Sequence, residues 1–364
     1  MLFFANPKSE YIYLKKKIDT KIKKVLNSNS YILGKEVENF EKNFSKYLSV
    51  KYSVGVSNGT DAIILALKAI NIKKGDEIIT TSHTAFATIA AIVDVGAIPV
   101  FIDIKEDDFT IDTSKIEKKI TKKTKAIIAV HIYGNPVDIN ELIKIKRKYN
   151  ITLIEDCAQA HGAEYKKIKV GTFSDFSCFS FYPTKNLSTF GDAGAVCTNN
   201  IKMYKILKLL REYGWIKKNI SQKIKGSNKR LDELHAGILN IKLNYLDYFN
   251  QKRILIAKKY LKYIKSKKII LPKINSYKKH VFHLFVIRIK NNKRKNFLEY
   301  LKKNKIIAGI HYPIPNHKQK TFIKYKKSKL PITEKISKEI VSLPNYPLLK
   351  NGKVKKIIDI INNY

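Results

Sequence analysis

Residues 75–104 read GDEIITTSHTAFATIAAIVDVGAIPVFIDI. Gly75-Asp76 is a turn, and the β-branched run after it, EIITTS, reads as a strand. HTAFATIAAIVDVG then reads as a helix closed by Gly96, a residue type suited to ending one. IPVFIDI is a second strand. Strand, helix and strand in succession form the repeating unit of an α/β fold with a mostly parallel sheet.

The same alternation extends over the first 200 residues. Residues 36–48 have helical periodicity, and YSVGV (52–56) is a short strand. SNGTDAIILALKAI opens a helix at Thr60 or Asp61, both good N-terminal residues. KAIIAVHIYG (125–134) and ITLIED (151–156) are further strands, with helices near 114–120 and 138–149. From Asp175 the pattern changes. SDFSCFSFY and GAVCT are strand-like runs joined by the loop PTKNLSTFGDA (183–193). Residues 201–212 and 231–265 look helical. Beyond about 270 come HVFHLFVIRI as a strand, NFLEYLKKN as a helix and the loop GIHYPIPNH (309–317). The expected division is a large domain over 1–250 and a smaller α+β domain over 251–364.

Composition narrows the class. The 364 residues are 44% hydrophobic and 11% aromatic, enough for a sizeable core, which excludes general disorder. No apolar stretch approaches the roughly 18 residues of a membrane-spanning helix, so no membrane role is expected. The opening MLFFANPKSE loses its apolar character after Ala5, too soon for a secretory signal. Cys157, Cys178 and Cys197 form neither a disulfide framework nor a zinc pattern, so no metal is expected and a reducing cytoplasm fits. The net charge of +41 raises the question of nucleic acid. Only six of the 71 basic residues are Arg, whereas base readout leans on Arg. The lysines are scattered, and Ile, Asn, Tyr and Phe, all encoded by AT-rich codons, are also plentiful. The charge therefore reads as solvated surface, and no nucleic-acid partner is expected. Its field would still favour an acidic substrate.

Three short segments carry chemistry. Asp156 ends the apolar strand ITLIED. Such a position either caps a following helix or faces a ligand at the sheet's carboxyl edge. Lys185 follows a strand rich in Ser and Phe and precedes a Gly-containing loop, a setting that allows burial and a neutral amine. SNGTDA (57–62) is either an ordinary turn or a helix start whose N–H groups receive a phosphate. Pyridoxal phosphate needs all three: an amine for its aldehyde, a carboxylate for its ring nitrogen and a cradle for its phosphate.

The chain resembles the sugar aminotransferases of the DegT/DnrJ/EryC1/StrS family. The resemblance runs through YILGKEVENFEKNFSKYL (31–48), VGVSNGTDAIILAL (54–67), GDEIITTSHTAFAT (75–88), GAIPVFIDI (96–104), HIYGNP (131–136), IEDCAQAHGAEY (154–165), FSDFSCFSFYPTKNL (173–187), GDAGAVCTN (191–199), NKRLDELHAGIL (228–239) and GIHYPIPNH (309–317). It implies the aspartate-aminotransferase type of fold, PLP fold type I, with pyridoxal 5'-phosphate as cofactor. By the same resemblance Lys185 bonds the cofactor and serves as acid and base. Asp156 pairs with the ring nitrogen, and Gln159 contacts the ring hydroxyl. Gly59, Thr60 and Ser180 hold the phosphate, and His83 lies against the ring. Asn228 resembles a residue that reaches the phosphate across a dimer interface, so a homodimer with shared sites is expected. Tyr182, Arg230, His311, Tyr312 and His317 are candidate sugar or diphosphate contacts. For the GIHYPIPNH loop a purely structural role is equally open. Four positions depart from the family pattern: Asp192, Lys229, His235 and Gly237.

The resemblance implies transamination from L-glutamate to a nucleotide-diphosphate keto sugar in surface polysaccharide or glycan synthesis. SHTAFATIAAIVDVGAIPVFIDI is most similar to enzymes that aminate C3 of a dTDP-linked 3-keto-6-deoxyhexose. Amination at C4 of a UDP- or dTDP-4-keto-6-deoxy sugar is the alternative, and a non-catalytic cofactor-binding regulator a remote one.

Overall fold

Seven apolar runs pair into one sheet in the computed structural model, which describes every residue except 222–223, 292 and 326–328. They are β1 (Tyr52–Val56), β2 (Glu77–Thr81), β3 (Ile98–Ile102), β4 (Thr124–Val130), β5 (Thr152–Asp156), β6 (Phe176–Ser180) and β7 (Gly194–Thr198). Their order is β1-β7-β6-β5-β4-β2-β3. From β6 to β3 all neighbours are parallel, whereas β7 runs antiparallel to both β1 and β6. Parallel neighbours need crossovers, and helices supply them.

Alternation along each strand decides what faces where. In β4, Ile127 and Ala129 face one layer, and Ala126, Ile128 and Val130 face the other. The first layer packs α2 (Lys35–Leu48), α5 (Ile139–Tyr149) and α7 (Glu233–Leu243) through Phe40, Leu142 and Leu239. The second packs α3 (Gly59–Ala69), α4 (Phe86–Asp94) and α6 (Ile201–Arg211) through Leu65, Ile89 and Leu207. Leu153 lies in the first layer and Ile154 in the second, so Asp156 emerges on the second side. Ser180 of β6 shares that parity with Phe176 and Cys178. The start of α3 lies on this side too.

A third cluster joins α8 (Leu246–Tyr263), α9 (Arg294–Lys303) and α10 (Asn351–Asn362) to a small antiparallel sheet of Ile269–Ile270, Phe285–Ile289 and Ile340–Leu343. Residue 250 lies inside α8, and Leu2–Phe3 pair in parallel with Ile306–Ile307. The small layer therefore also takes in the first residues of the chain.

Four elements depart from the sequence expectation. Residues 231–265 form two helices, broken at Asn244–Tyr245, where backbone bonds to Ile241 and Lys242 tighten the last turn of α7. Residues 113–119 form two 3₁₀ turns rather than one helix. The helix expected from His83 starts at Phe86, because the Ser82 and Thr84 carbonyls accept bonds from Asn316. The strand expected from His280 starts at Phe285, because Val281 and Leu284 bond to the Gly134 and Tyr133 carbonyls instead. The 20-residue helix α1 (Pro7–Leu26) had no sequence expectation. It buries only Glu10, Leu14, Ile18 and Val25, a stripe too thin to stand out among its lysines.

Candidate active site

A cavity of about 440 Å³ opens where β5 and β6 end and α3 begins. Asn58, Gly59, Thr60, Asp156, Ser180, Tyr182, Lys185, His311 and Tyr312 are among its lining residues. The site lies at the carboxyl edge of a parallel sheet, as expected of this architecture.

Asp156 is nearly buried. Its Oδ2 accepts the Thr88 hydroxyl at 2.8 Å, and its Oδ1 accepts the Ala158 N–H at 3.1 Å. The Thr84 hydroxyl lies 2.9 Å from that of Thr88, so the carboxylate is held from α4 and from its own turn. Lys185 is placed by a turn, its N–H bonding to the Tyr182 carbonyl at 2.9 Å. Burial lowers its ammonium pKa to about 8, with Asp156 opposing the shift. His161, His283 and His311 all feel Lys185 and are kept neutral chiefly by burial, His161 at about 3 and His311 at about 4. The ammonium of Lys185 is thus the titrating cation of this corner.

The other end of the cavity is a cradle. The Asn58 side chain caps α3 by accepting the Asp61 N–H at 2.8 Å. The Gly59 and Thr60 N–H groups lie in the first turn and have no intrahelical acceptor. A Cβ on Gly59 would lie 2.6 Å from the Ser180 Cβ, so only glycine permits this approach. Unpaired N–H groups and the positive end of a helix suit a phosphate. Amine, carboxylate and cradle all border one volume, and they fit pyridoxal phosphate.

Gln159 lies just behind the wall. Its Oε1 accepts the Tyr133 N–H at 2.7 Å, and its Nε2 donates to the Tyr312 hydroxyl at 2.9 Å. The Tyr312 ring is therefore clamped on the Asp156 side of the cavity. The Tyr182 side chain is exposed at the mouth.

Other expected residues lie elsewhere. His83 is not among the lining residues. It is buried with its Nε2 2.6 Å from the Tyr133 hydroxyl, and burial lowers its pKa to about 4. The wall nearby is Ala85 and Ala87. His317 also misses the cavity. It is fully buried, with Nδ1 2.7 Å from Ser82 Oγ and Nε2 3.1 Å from Glu334 Oε1, and so pins the loop to the large sheet. Asn228 and Arg230 lie beyond β1. Asn228 bridges Glu212 through its backbone, and the Arg230 guanidinium pairs with Glu212 at 3.2 Å. Neither lines this chain's cavity.

Of the unusual positions, Asp192 lines the cavity and Lys229 pairs with Asp61. His235 bonds Thr189 Oγ1 at 2.8 Å, and Gly237 lies under Lys21 of α1. Sequence reasoning missed Phe4, Thr88, Thr184 and His283 among the lining residues. Thr88 had a signal in its motif, but Phe4 had none, because strand pairing far along the chain brings it there.

Among the described residues, His131, Glu155 and Cys157 form the compact metal-ligand grouping. The His131 Nδ1 already accepts the Val137 N–H, and its Nε2 lies 3.0 Å from Glu155. Both ring nitrogens are thus occupied. Glu155 also accepts from Gly171, Phe173 and Ser174, which makes the group a hydrogen-bonded brace.

The sequence model of the DegT/DnrJ/EryC1/StrS aminotransferase family matches residues 13–362. The chain is 45% identical to dTDP-3-amino-3,6-dideoxy-alpha-D-galactopyranose transaminase of Aneurinibacillus thermoaerophilus, over 100% of this chain and 99% of that protein. It is similar to the solved structure of S. venezuelae DesV in complex with a ketimine intermediate, at 37% identity and a TM-score of 0.96, covering 100% of this chain and 98% of that one. It is also similar to NtdA from Bacillus subtilis with bound cofactor PMP, at 31% identity and a TM-score of 0.89, covering 96% of this chain and 81% of that one.

Proposed function

The chain belongs to the DegT/DnrJ/EryC1/StrS aminotransferase family, and on that premise we propose that it moves the amino group of L-glutamate to the C3 ketone of a dTDP-linked 3-keto-6-deoxyhexose. The observation that carries this reading is the full-length 45% identity to a dTDP-3-amino sugar transaminase, joined to a cavity bordered by Lys185 and Asp156. The enzyme works with pyridoxal 5'-phosphate, which supplies an electron-accepting ring that carries the amino group between the two substrates.

Each side chain then has a definite task. Lys185, with its pKa near 8, holds a substantial neutral fraction at physiological pH. Its Nζ would therefore condense with the cofactor carbonyl with loss of water and, once displaced, would take the α-proton of the donor and deliver it to the cofactor carbon. Asp156 is held by Thr88 and Ala158 and keeps a proton on the ring nitrogen. Gly59, Thr60 and Ser180 receive the phosphate. Gln159, which the family resemblance assigns to the ring hydroxyl, would act there from behind the wall, where it holds the Tyr312 hydroxyl. Tyr182 and His311 stand at the substrate side. His83 and His317 are assigned packing roles. Asn228, by its likeness to the family residue that crosses a dimer interface, would serve the partner's site in a homodimer, while Arg230 is paired with Glu212.

The test is a panel of dTDP- and UDP-linked 3-keto and 4-keto sugars with glutamate, the products identified by NMR. A dTDP-linked 3-amino sugar is expected. Turnover of 4-keto sugars alone refutes the C3 reading. Cofactor binding with no glutamate half-reaction refutes the enzymatic one.

A further inference from the structure

We propose that Lys229 keeps the phosphate end of the cavity attractive to a dianion by neutralising Asp61, and so sets how tightly the chain holds a phosphorylated cofactor. The inference rests on the cofactor reading above. Asp61 lies in the first turn of α3, two residues after Gly59. Its Oδ2 accepts the Ser57 hydroxyl and the Asn58 Nδ2, the latter at 2.9 Å. Its Oδ1 pairs with the Lys229 ammonium. Both side chains are largely enclosed, at 14% and 17% exposed, so solvent screens the pair weakly.

A carboxylate in the first turn stabilises the helix, but it spends the positive potential that the phosphate needs. Lys229 restores that potential. The lysine is placed by its backbone: its carbonyl accepts the Ser57 N–H at 3.1 Å, and its N–H donates to the Arg211 carbonyl at 3.0 Å. Among the described residues, no other basic side chain pairs with Asp61. Without Lys229, the phosphate end would lie within one helical turn of a carboxylate that keeps its hydrogen bonds but has no counter-charge. Lys229 is therefore a positioning residue that acts through Asp61.

The test compares Lys229→Met, Asp61→Asn and the double variant with the parent chain, titrated with pyridoxal 5'-phosphate and with unphosphorylated pyridoxal. Binding is read from the visible absorption of the Lys185-bound compound, and folding from circular dichroism. Lys229→Met is expected to weaken binding of the phosphorylated compound roughly tenfold, given one uncompensated charge at the helix end. Binding of pyridoxal should stay within about twofold, because it carries no phosphate charge. The double variant should recover most of the loss. Equal loss for both compounds, unchanged binding of the phosphorylated one, or no recovery in the double variant overturns the role. A parent chain that takes up neither compound overturns the cofactor reading and this role with it. A parent chain that binds while the variants behave alike overturns this role alone.

Discussion

Replacing Asp156 with Asn is expected to lower the pH at which the Lys185 amine becomes reactive. Burial lowers the Lys185 pKa from 10.5 to about 8, and the Asp156 charge works against that shift. At pH 7 a group of pKa 8 is about 9% neutral, against about 0.03% for an ordinary lysine, a ratio of about 300. With the carboxylate gone, burial acts with less opposition, and the inflection should fall by roughly one unit. The assay is competitive acetylation of the cofactor-free chain with limiting acetic anhydride from pH 6 to 10, quantified by mass spectrometry. The surface lysines serve as the internal reference. Lys185 in the parent chain should titrate near 8, and in the variant lower. An inflection with the surface lysines refutes the burial argument, and an upward shift in Asp156→Asn refutes the assigned sign.

The depressed Lys185 pKa also ties stability to pH. Between about 8 and 10.5 the unfolded chain holds a proton that the folded one lacks, so the cofactor-free fold gains stability as pH rises through that window. Lys185→Met should flatten this rise in melting curves taken from pH 7 to 10. Gly59→Ala would put a Cβ 2.6 Å from the Ser180 Cβ and should weaken cofactor binding at least about tenfold, at a stability cost of about 1–3 kcal/mol. Thr88→Val removes the donor 2.8 Å from Asp156. It should slow the glutamate half-reaction roughly tenfold for a bond of about 1–2 kcal/mol, with Thr88→Ser recovering the rate. The buried Glu233 carboxylate accepts the N–H groups of Gly34, Glu36 and Val37, each at 2.9 Å, and so caps α2 from α7. Glu233→Ala should destabilise the fold by about 2–4 kcal/mol in urea unfolding, and a change under about 0.5 kcal/mol would refute the cap.

Period and spacing carried the sequence reading as far as local information reaches. The strand-helix alternation of 75–104 and the apolar run before Asp156 belong to single segments, and the sheet preserves them. The parity of ITLIED already puts Asp156 on one side of the sheet, and the small residues of SNGTDA already mark the start of a helix. Lys185 was found from its neighbours in one loop. The thin buried stripe of α1 fell below what periodicity can register among so many lysines.

What only the tertiary structure decided is which distant side chains meet. His83 and His317 read as site residues in their motifs, but Tyr133 takes the Nε2 of His83, and Ser82 with Glu334 take both ring nitrogens of His317. Phe4 and His283 reach the cavity because strand pairing at 306–307 and bonds to the Tyr133–Gly134 turn place their backbones there. Lys229 is set apart by an enclosed pairing with Asp61, 168 positions earlier. A sequence determines which groups each segment offers and with what period. Whether a charge is paired, buried or free depends on packing between segments, and local pattern does not encode that.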